Sequence, residues 1–126
     1  MKKITLLLSA FLMILLISCS GSDTYRGNWK ATDADGNKFQ INFAEKSFSV
    51  DDGSGKKTKF EYSQNSVSMK NSTTTYGIQI SDGRQYKIYF PTDDETQAFI
   101  TDESGNQLYT IARKDYKTAN DINKLN

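Results

Sequence analysis

Few residues in this chain are able to do chemistry, and their types narrow the choice before any spacing is read. Cys19 is the single cysteine, and the 126 residues contain no histidine. Imidazole acid-base work, zinc sites built from the usual ligands and serine activated by histidine are therefore excluded. Carboxylates remain, clustered as Asp33 and Asp35, Asp51 and Asp52, and Asp93-Asp94-Glu95. Converging acids offer hard oxygen ligands suited to Ca²⁺, and Asp33-Ala34-Asp35-Gly36-Asn37 approaches the start of a calcium loop, but its spacing misses the Asp-x-Asp-x-Asp-Gly pattern. Asp, Asn and Gly are also what hairpins require. The acids are accordingly read as turn residues and candidate binding loops, with no cofactor, no metal and no enzymatic activity expected.

Cys19 has a more telling context. Lys2-Lys3 precedes an uncharged run of 14 residues from Ile4 to Ile17, shorter than the roughly 20 residues a spanning helix needs. The run ends in Leu16-Ile17-Ser18-Cys19, and in these residues the chain resembles bacterial lipoprotein precursors. That resemblance implies cleavage before Cys19, removal of residues 1–18, and a diacylglycerol on the Cys19 thiol with further acylation of the new amino group. Two or three chains of about 16 carbons, at about 0.8 kcal/mol per buried methylene, would hold the protein on a membrane far more firmly than one chain does. Ser20 stands where inner-membrane lipoproteins of Gram-negative bacteria typically carry Asp, so the resemblance further implies the outer membrane of the cell envelope.

Removal of residues 1–18 takes Lys2 and Lys3 and leaves 14 basic and 15 acidic side chains. So balanced a charge gives no footprint for nucleic acid. The remaining length suits one domain, and with Cys19 acylated no thiol is left for a disulfide. Residues 19–24 are small and polar and read as a short tether.

Past the tether, polar and apolar residues alternate with period two, as in Lys38-Phe39-Gln40-Ile41-Asn42-Phe43 and Tyr86-Lys87-Ile88-Tyr89-Phe90. Half-buried antiparallel strands are the direct reading. Turn signals such as Asp35-Gly36-Asn37, Asp52-Gly53, Asp82-Gly83 and Ser104-Gly105-Asn106 separate the runs. The pattern predicts eight or nine short strands, near 25–32, 37–43, 46–51, 57–63, 65–70, 73–81, 84–90, 97–101 and 106–113. Links this short favour sequential neighbours, and a meander with one apolar face removes its edges by curling into an all-β barrel over residues 25–113. The expected inward set includes Trp29, Ile41, Phe43, Phe60, Tyr62, Val67, Met69, Tyr76, Ile78, Ile88 and Ile111. With Phe, Trp and Tyr so frequent among inward positions on short strands, the interior is expected to be packed or nearly packed. The tail, 114–126, is polar except for Tyr116, Ala119, Ile122 and Leu125, a spacing that suits one narrow helical face or a frayed terminus.

Gly27-Asn28-Trp29 on the first strand, the meander and the possible terminal helix resemble the Gly-x-Trp start of lipocalins and of small lipocalin-like lipoproteins of Bacteroidetes. The resemblance implies a barrel with Trp29 across its base and a small hydrophobic or envelope-derived ligand. The alternative is an interaction lipoprotein, an accessory subunit of an envelope machine or a hydrolase inhibitor, working through its loops. With nine strands, links 33–36, 52–56, 71–74 and 91–96 share one end, so Asp33, Asp35, Asp51, Asp52, Asp93, Asp94 and Glu95 are all expected on a loop-rich end that points away from the membrane. The links at 44–45, 64, 82–83 and 102–105 would then form the tight end, where the tether enters.

Overall fold

The computed structural model describes residues 22–123. The proposed signal, Cys19, the first part of the tether and Leu125 lie outside the described residues. Eight antiparallel strands form a closed up-and-down barrel in sequence order: β1 Gly27–Thr32, β2 Lys38–Phe43, β3 Ser47–Asp51, β4 Lys57–Lys70, β5 Thr73–Ile80, β6 Gln85–Phe90, β7 Gln97–Asp102 and β8 Gln107–Ala112. The barrel closes where Lys30, Ala31 and Thr32 of β1 meet Ala112, Ile111 and Thr110 of β8. The expected all-β meander is therefore what forms.

Alternation explains the layers. Inward positions collect Trp29, Ile41, Ile78, Ile88, Phe90 and Ile111, all nearly inaccessible. Outward positions on β2, β4 and β6 carry Lys38, Gln40, Asn42, Lys59, Glu61, Gln85 and Lys87, all exposed. A membrane-spanning barrel needs an apolar band there, and these strands have none.

One expected boundary is wrong, with wide consequences. Residues 57–63 and 65–70 are one 14-residue strand, β4, and no turn occurs at Gln64. The chain passes Gln64 through a β-bulge, with Gln64 opposite Ile78 and Ser66 opposite Gly77. A bulge leaves one residue, Asn65, unpaired, bends the strand and keeps the chain running forward. Gly77 accommodates it: a Cβ there would overlap Ser66 Oγ and lie 2.8 Å from Asn65 Oδ1. Beyond the bulge, Val67 and Met69 stand opposite Tyr76 and Thr74, yet they are 55% and 80% exposed. They were expected in the core, but the β4–β5 hairpin carries them past the rim.

The tail covers part of the outside. On the outer face of β1, β7 and β8, Thr32, Thr110, Ala112, Gln97 and Phe99 are all buried. The short helix α1, Ala119–Asn123, comes to this face, with Thr118, Ala119 and Asn120 beside Thr32 and Thr110 and Ile122 buried. Its start is a reciprocal cap in which Thr118 N–H donates to Asp121 Oδ2 at 2.8 Å and Asp121 N–H donates to Thr118 Oγ1 at 3.4 Å. Tyr116 anchors the approach beneath the ammonium groups of Lys30 and Lys38, 5.6 and 5.2 Å from its ring centre.

Candidate functional site

Removing one reversal at Gln64 changes which links share an end. The β1–β2, β3–β4, β5–β6 and β7–β8 hairpins lie at one end, which we call the mouth. The β2–β3, β4–β5 and β6–β7 links lie at the other end, where the chain also enters. Asp33, Asp35, Asp51 and Asp52 are therefore at the mouth, and Asp93, Asp94 and Glu95 are at the entry end. The expected convergence of these seven acids on one loop-rich end is overturned. The length contrast fails as well, because the six-residue link 91–96 belongs to the entry end.

The mouth hairpins are built alike. Each closes with a backbone N–H donating to the carbonyl four residues on: Asp33 to Asn37, Asp52 to Lys56, Ile80 to Arg84 and Asp102 to Asn106. Each places a glycine with positive φ one residue before that carbonyl, at Gly36, Gly55, Gly83 and Gly105, the conformation that suits glycine best. The acids serve these turns. Asp33 Oδ1 accepts from the N–H groups of Asp35 and Asn37 and its Oδ2 from Asn37 Nδ2; Asp102 repeats the same set with Ser104 and Asn106. Asp52 accepts from Ser54, Asp51 from Gly53, and at the opposite end Asp94 accepts from Thr96. Hydrogen bonding from the Asn106 and Ser54 side chains holds Asp102 and Asp52 below the usual carboxylate range. Among the described residues no group of three or more His, Cys, Asp or Glu is placed to hold a metal ion.

The barrel floor at the entry end is closed by side chains. Tyr25 is wholly buried, its ring 5.4 Å from Phe43 and 5.2 Å from Tyr76, and its hydroxyl donates to Gln64 Oε1 at 2.8 Å. Trp29 Nε1 donates to the Tyr25 carbonyl at 2.8 Å. Arg113 lies on the Trp29 ring, 3.7 Å from its centre, and donates to the carbonyls of Asn28 and Thr24 at 3.0 and 3.1 Å. Burial pushes the phenols of Tyr25 and Tyr62 upward.

Above this floor the packing loosens toward the mouth. A cavity of about 280 Å³ opens toward the mouth, walled by Ile41, Phe43, Phe48, Val50, Phe60, Ile78, Ile80, Tyr86, Ile100 and Tyr109. Its polar groups stand at the rim: Asp33, and Arg84, whose guanidinium is held by Asp82 through Nε and Nη2, each 2.8 Å from Oδ2. The Arg84 guanidinium lies 5.7 Å from the centre of Phe60 and 6.0 Å from that of Tyr86. Burial raises the Tyr109 phenol, with Asp33 and Tyr86 adding to the effect. The expectation of a packed or nearly packed interior holds fully for the lower half of the barrel, while in the upper half the walls pack on one another and leave this one pocket open to the mouth.

Of the candidate site residues read from sequence only Asp33 borders this cavity, although Ile41, Phe43, Phe60 and Ile78 of the expected inward set line its wall, and Cys19 lies outside the described residues. Sequence reasoning missed Arg84 and Leu108, both of which line the cavity, and the floor residues Tyr25 and Arg113. Leu108 had a readable signal in the adjacent apolar pair Leu108-Tyr109, which marks the irregular register between Ile100 and Thr101. Compared with known proteins, the chain matches no family model, no curated protein and no solved structure.

Proposed function

We propose that this protein is a non-enzymatic, lipid-anchored binding protein of the cell envelope, resembling small lipocalin-like lipoproteins, whose barrel takes one small hydrophobic molecule through its mouth. The apolar cavity of about 280 Å³ is the observation that carries the reading. Its size falls just below the roughly 300–1,000 Å³ typical of ligand sites, which suits a small ligand, and such sites combine apolar walls with few polar groups. A ligand with an apolar body would displace water from Phe43, Phe48, Phe60 and Ile80 and leave a polar head at the rim beside Arg84 and Asp33. Lipid anchorage through Cys19 is supported by the Lys2-Lys3 and apolar run that ends in Leu16-Ile17-Ser18-Cys19, and the outer membrane by Ser20 after the cysteine.

The test uses an environment-sensitive apolar dye, N-phenyl-1-naphthylamine, with Ile80→Trp to fill the cavity. Dye fluorescence that rises with the native protein and is lost with a folded Ile80→Trp variant is expected. Equal dye binding by both proteins would remove the cavity from the argument. Native mass spectrometry then identifies any molecule that co-purifies.

A further inference from the structure

Val67 and Met69 are the two large apolar side chains that lie exposed among the described residues, and both sit on the β4–β5 hairpin at the entry end. The arm they occupy has a free side: residues 63–70 of β4 pair with β5, while β3 reaches β4 only as far as Glu61, and no other described strand pairs there. An open strand edge with exposed apolar groups is a liability that proteins usually cover.

The occupant can be argued from where the chain begins. Thr24 accepts a hydrogen bond from the Tyr76 hydroxyl at 3.2 Å, and Thr24 and Met69 line the same groove of about 370 Å³. The hairpin tip at Asn71 and Ser72 lies four residues past Tyr76, about 14 Å along the strand at roughly 3.4 Å per residue. Cys19 is three residues before Ser22, a reach of at most about 10 Å. An acylated Cys19 and the hairpin tip can therefore rest on one plane.

We propose that the β4–β5 hairpin is a second membrane contact, with Met69 and Val67 entering the lipid interface beside the acylated Cys19 and Lys70 at the headgroup level. This rests on the lipid-anchor reading. Apolar side chains at the headgroup boundary add burial to that of the acyl chains, and a second point of contact on the folded domain restricts the swivelling that a tether alone would allow. The cavity mouth is then held away from the membrane.

The test labels Met69→Cys, or Val67→Cys as a second position, with a solvent-sensitive fluorophore in full-length protein that has been processed and acylated. Ser104→Cys at the mouth is the comparison. Acylation leaves the introduced thiol as the single free one. On phosphatidylethanolamine and phosphatidylglycerol vesicles, a blue shift and loss of aqueous quenching are expected at 69 and 67 but not at 104. Protein whose mass includes the acyl chains and which floats with vesicles, yet shows equal quenching at 69 and 104, overturns the hairpin contact and leaves the anchor standing. Mature protein without acyl chains overturns both. Shielding of position 69 in native envelopes but not on pure lipid overturns the lipid contact in favour of a protein partner.

Discussion

Arg113 is the residue whose loss should reveal how the barrel floor is held. Its guanidinium joins three separate features: the carbonyl of Asn28 at 3.0 Å, that of Thr24 at 3.1 Å and the face of Trp29 at 3.7 Å. A hydrogen bond from a charged donor contributes about 1.5–3 kcal/mol, and a cation on an aromatic face about 0.5–1 kcal/mol where water still reaches it. The side chain is only half-buried, and in Arg113→Ala water can take over the Asn28 carbonyl, so the lower ends apply and one hydrogen bond is largely replaced. The expected loss is about 2 kcal/mol, a fall in Tm of roughly 10 °C for a domain of this size. Arg113→Lys keeps the charge over Trp29, but a single ammonium does not span both carbonyls, so it should recover less than half. Urea unfolding followed by fluorescence suits the question, because Trp29 is the only tryptophan and reports from the stack itself. Circular dichroism supplies the second probe. An Arg113→Ala protein within about 0.5 kcal/mol of the parent, the ordinary range for a surface substitution, would refute the bracing role.

Two further outcomes follow from the same geometry. Asn71 and Ser72 both have positive φ, 51° and 68°, the two-residue turn that favours Asn-Gly; Ser72→Gly should therefore raise stability by about 0.5–1 kcal/mol once the greater flexibility of unfolded glycine is subtracted, and an unchanged or lower urea midpoint would count against that strain. Burial, first, and Tyr25, second, raise the Tyr62 phenol, and burial likewise raises Tyr25 and Tyr109. Folded pKa values above the unfolded one give stability that is complete below about pH 10 and is lost as pH rises through the folded values. Absorbance titration should show these three phenols ionising late, together with alkaline unfolding, and a single transition near pH 10 for all tyrosines in a folded protein would contradict it.

The meander and its closure were legible because β2, β5 and β6 alternate cleanly and every mouth hairpin carries a glycine at the position where φ must be positive, while β7 and β8 are buried on both faces beneath the tail. What misled was Gln64. A one-residue gap between two alternating runs reads as a turn, yet Gln64 offers neither glycine nor an Asn-Gly pair, and the strand simply bulges. The better signal lay elsewhere in the chain: Gly77, isolated inside an alternating run, marks a place where a neighbouring strand's side chains fill the space of a Cβ, here Asn65 and Ser66 at the bulge. The acids were legible as turn residues, and Asp33 and Asp102 do spend their oxygens on their own turns. Arg113 was invisible because its three contacts lie 84 to 89 positions away along the chain.

The bulge also links the two ends of the molecule. Before it, alternation along β4 places Phe60, Tyr62 and Gln64 on the inner side, Gln64 receiving the Tyr25 hydroxyl. Continued without interruption, that phase would put Ser66 and Ser68 on the inner side and leave the hairpin with no apolar groups facing the entry groove. The extra residue at Asn65 shifts the phase by one, so Val67 and Met69 take those positions opposite Tyr76 and Thr74. It also carries the chain past the rim instead of back toward the mouth, which assigns the 91–96 link to the entry end and leaves four alike hairpins around the cavity. A single unpaired residue thus decides both that the mouth is ringed by tight, rigid turns and that the arm beside the chain's entry is apolar. Those two surfaces must differ if one end is to meet a membrane and the other a dissolved ligand.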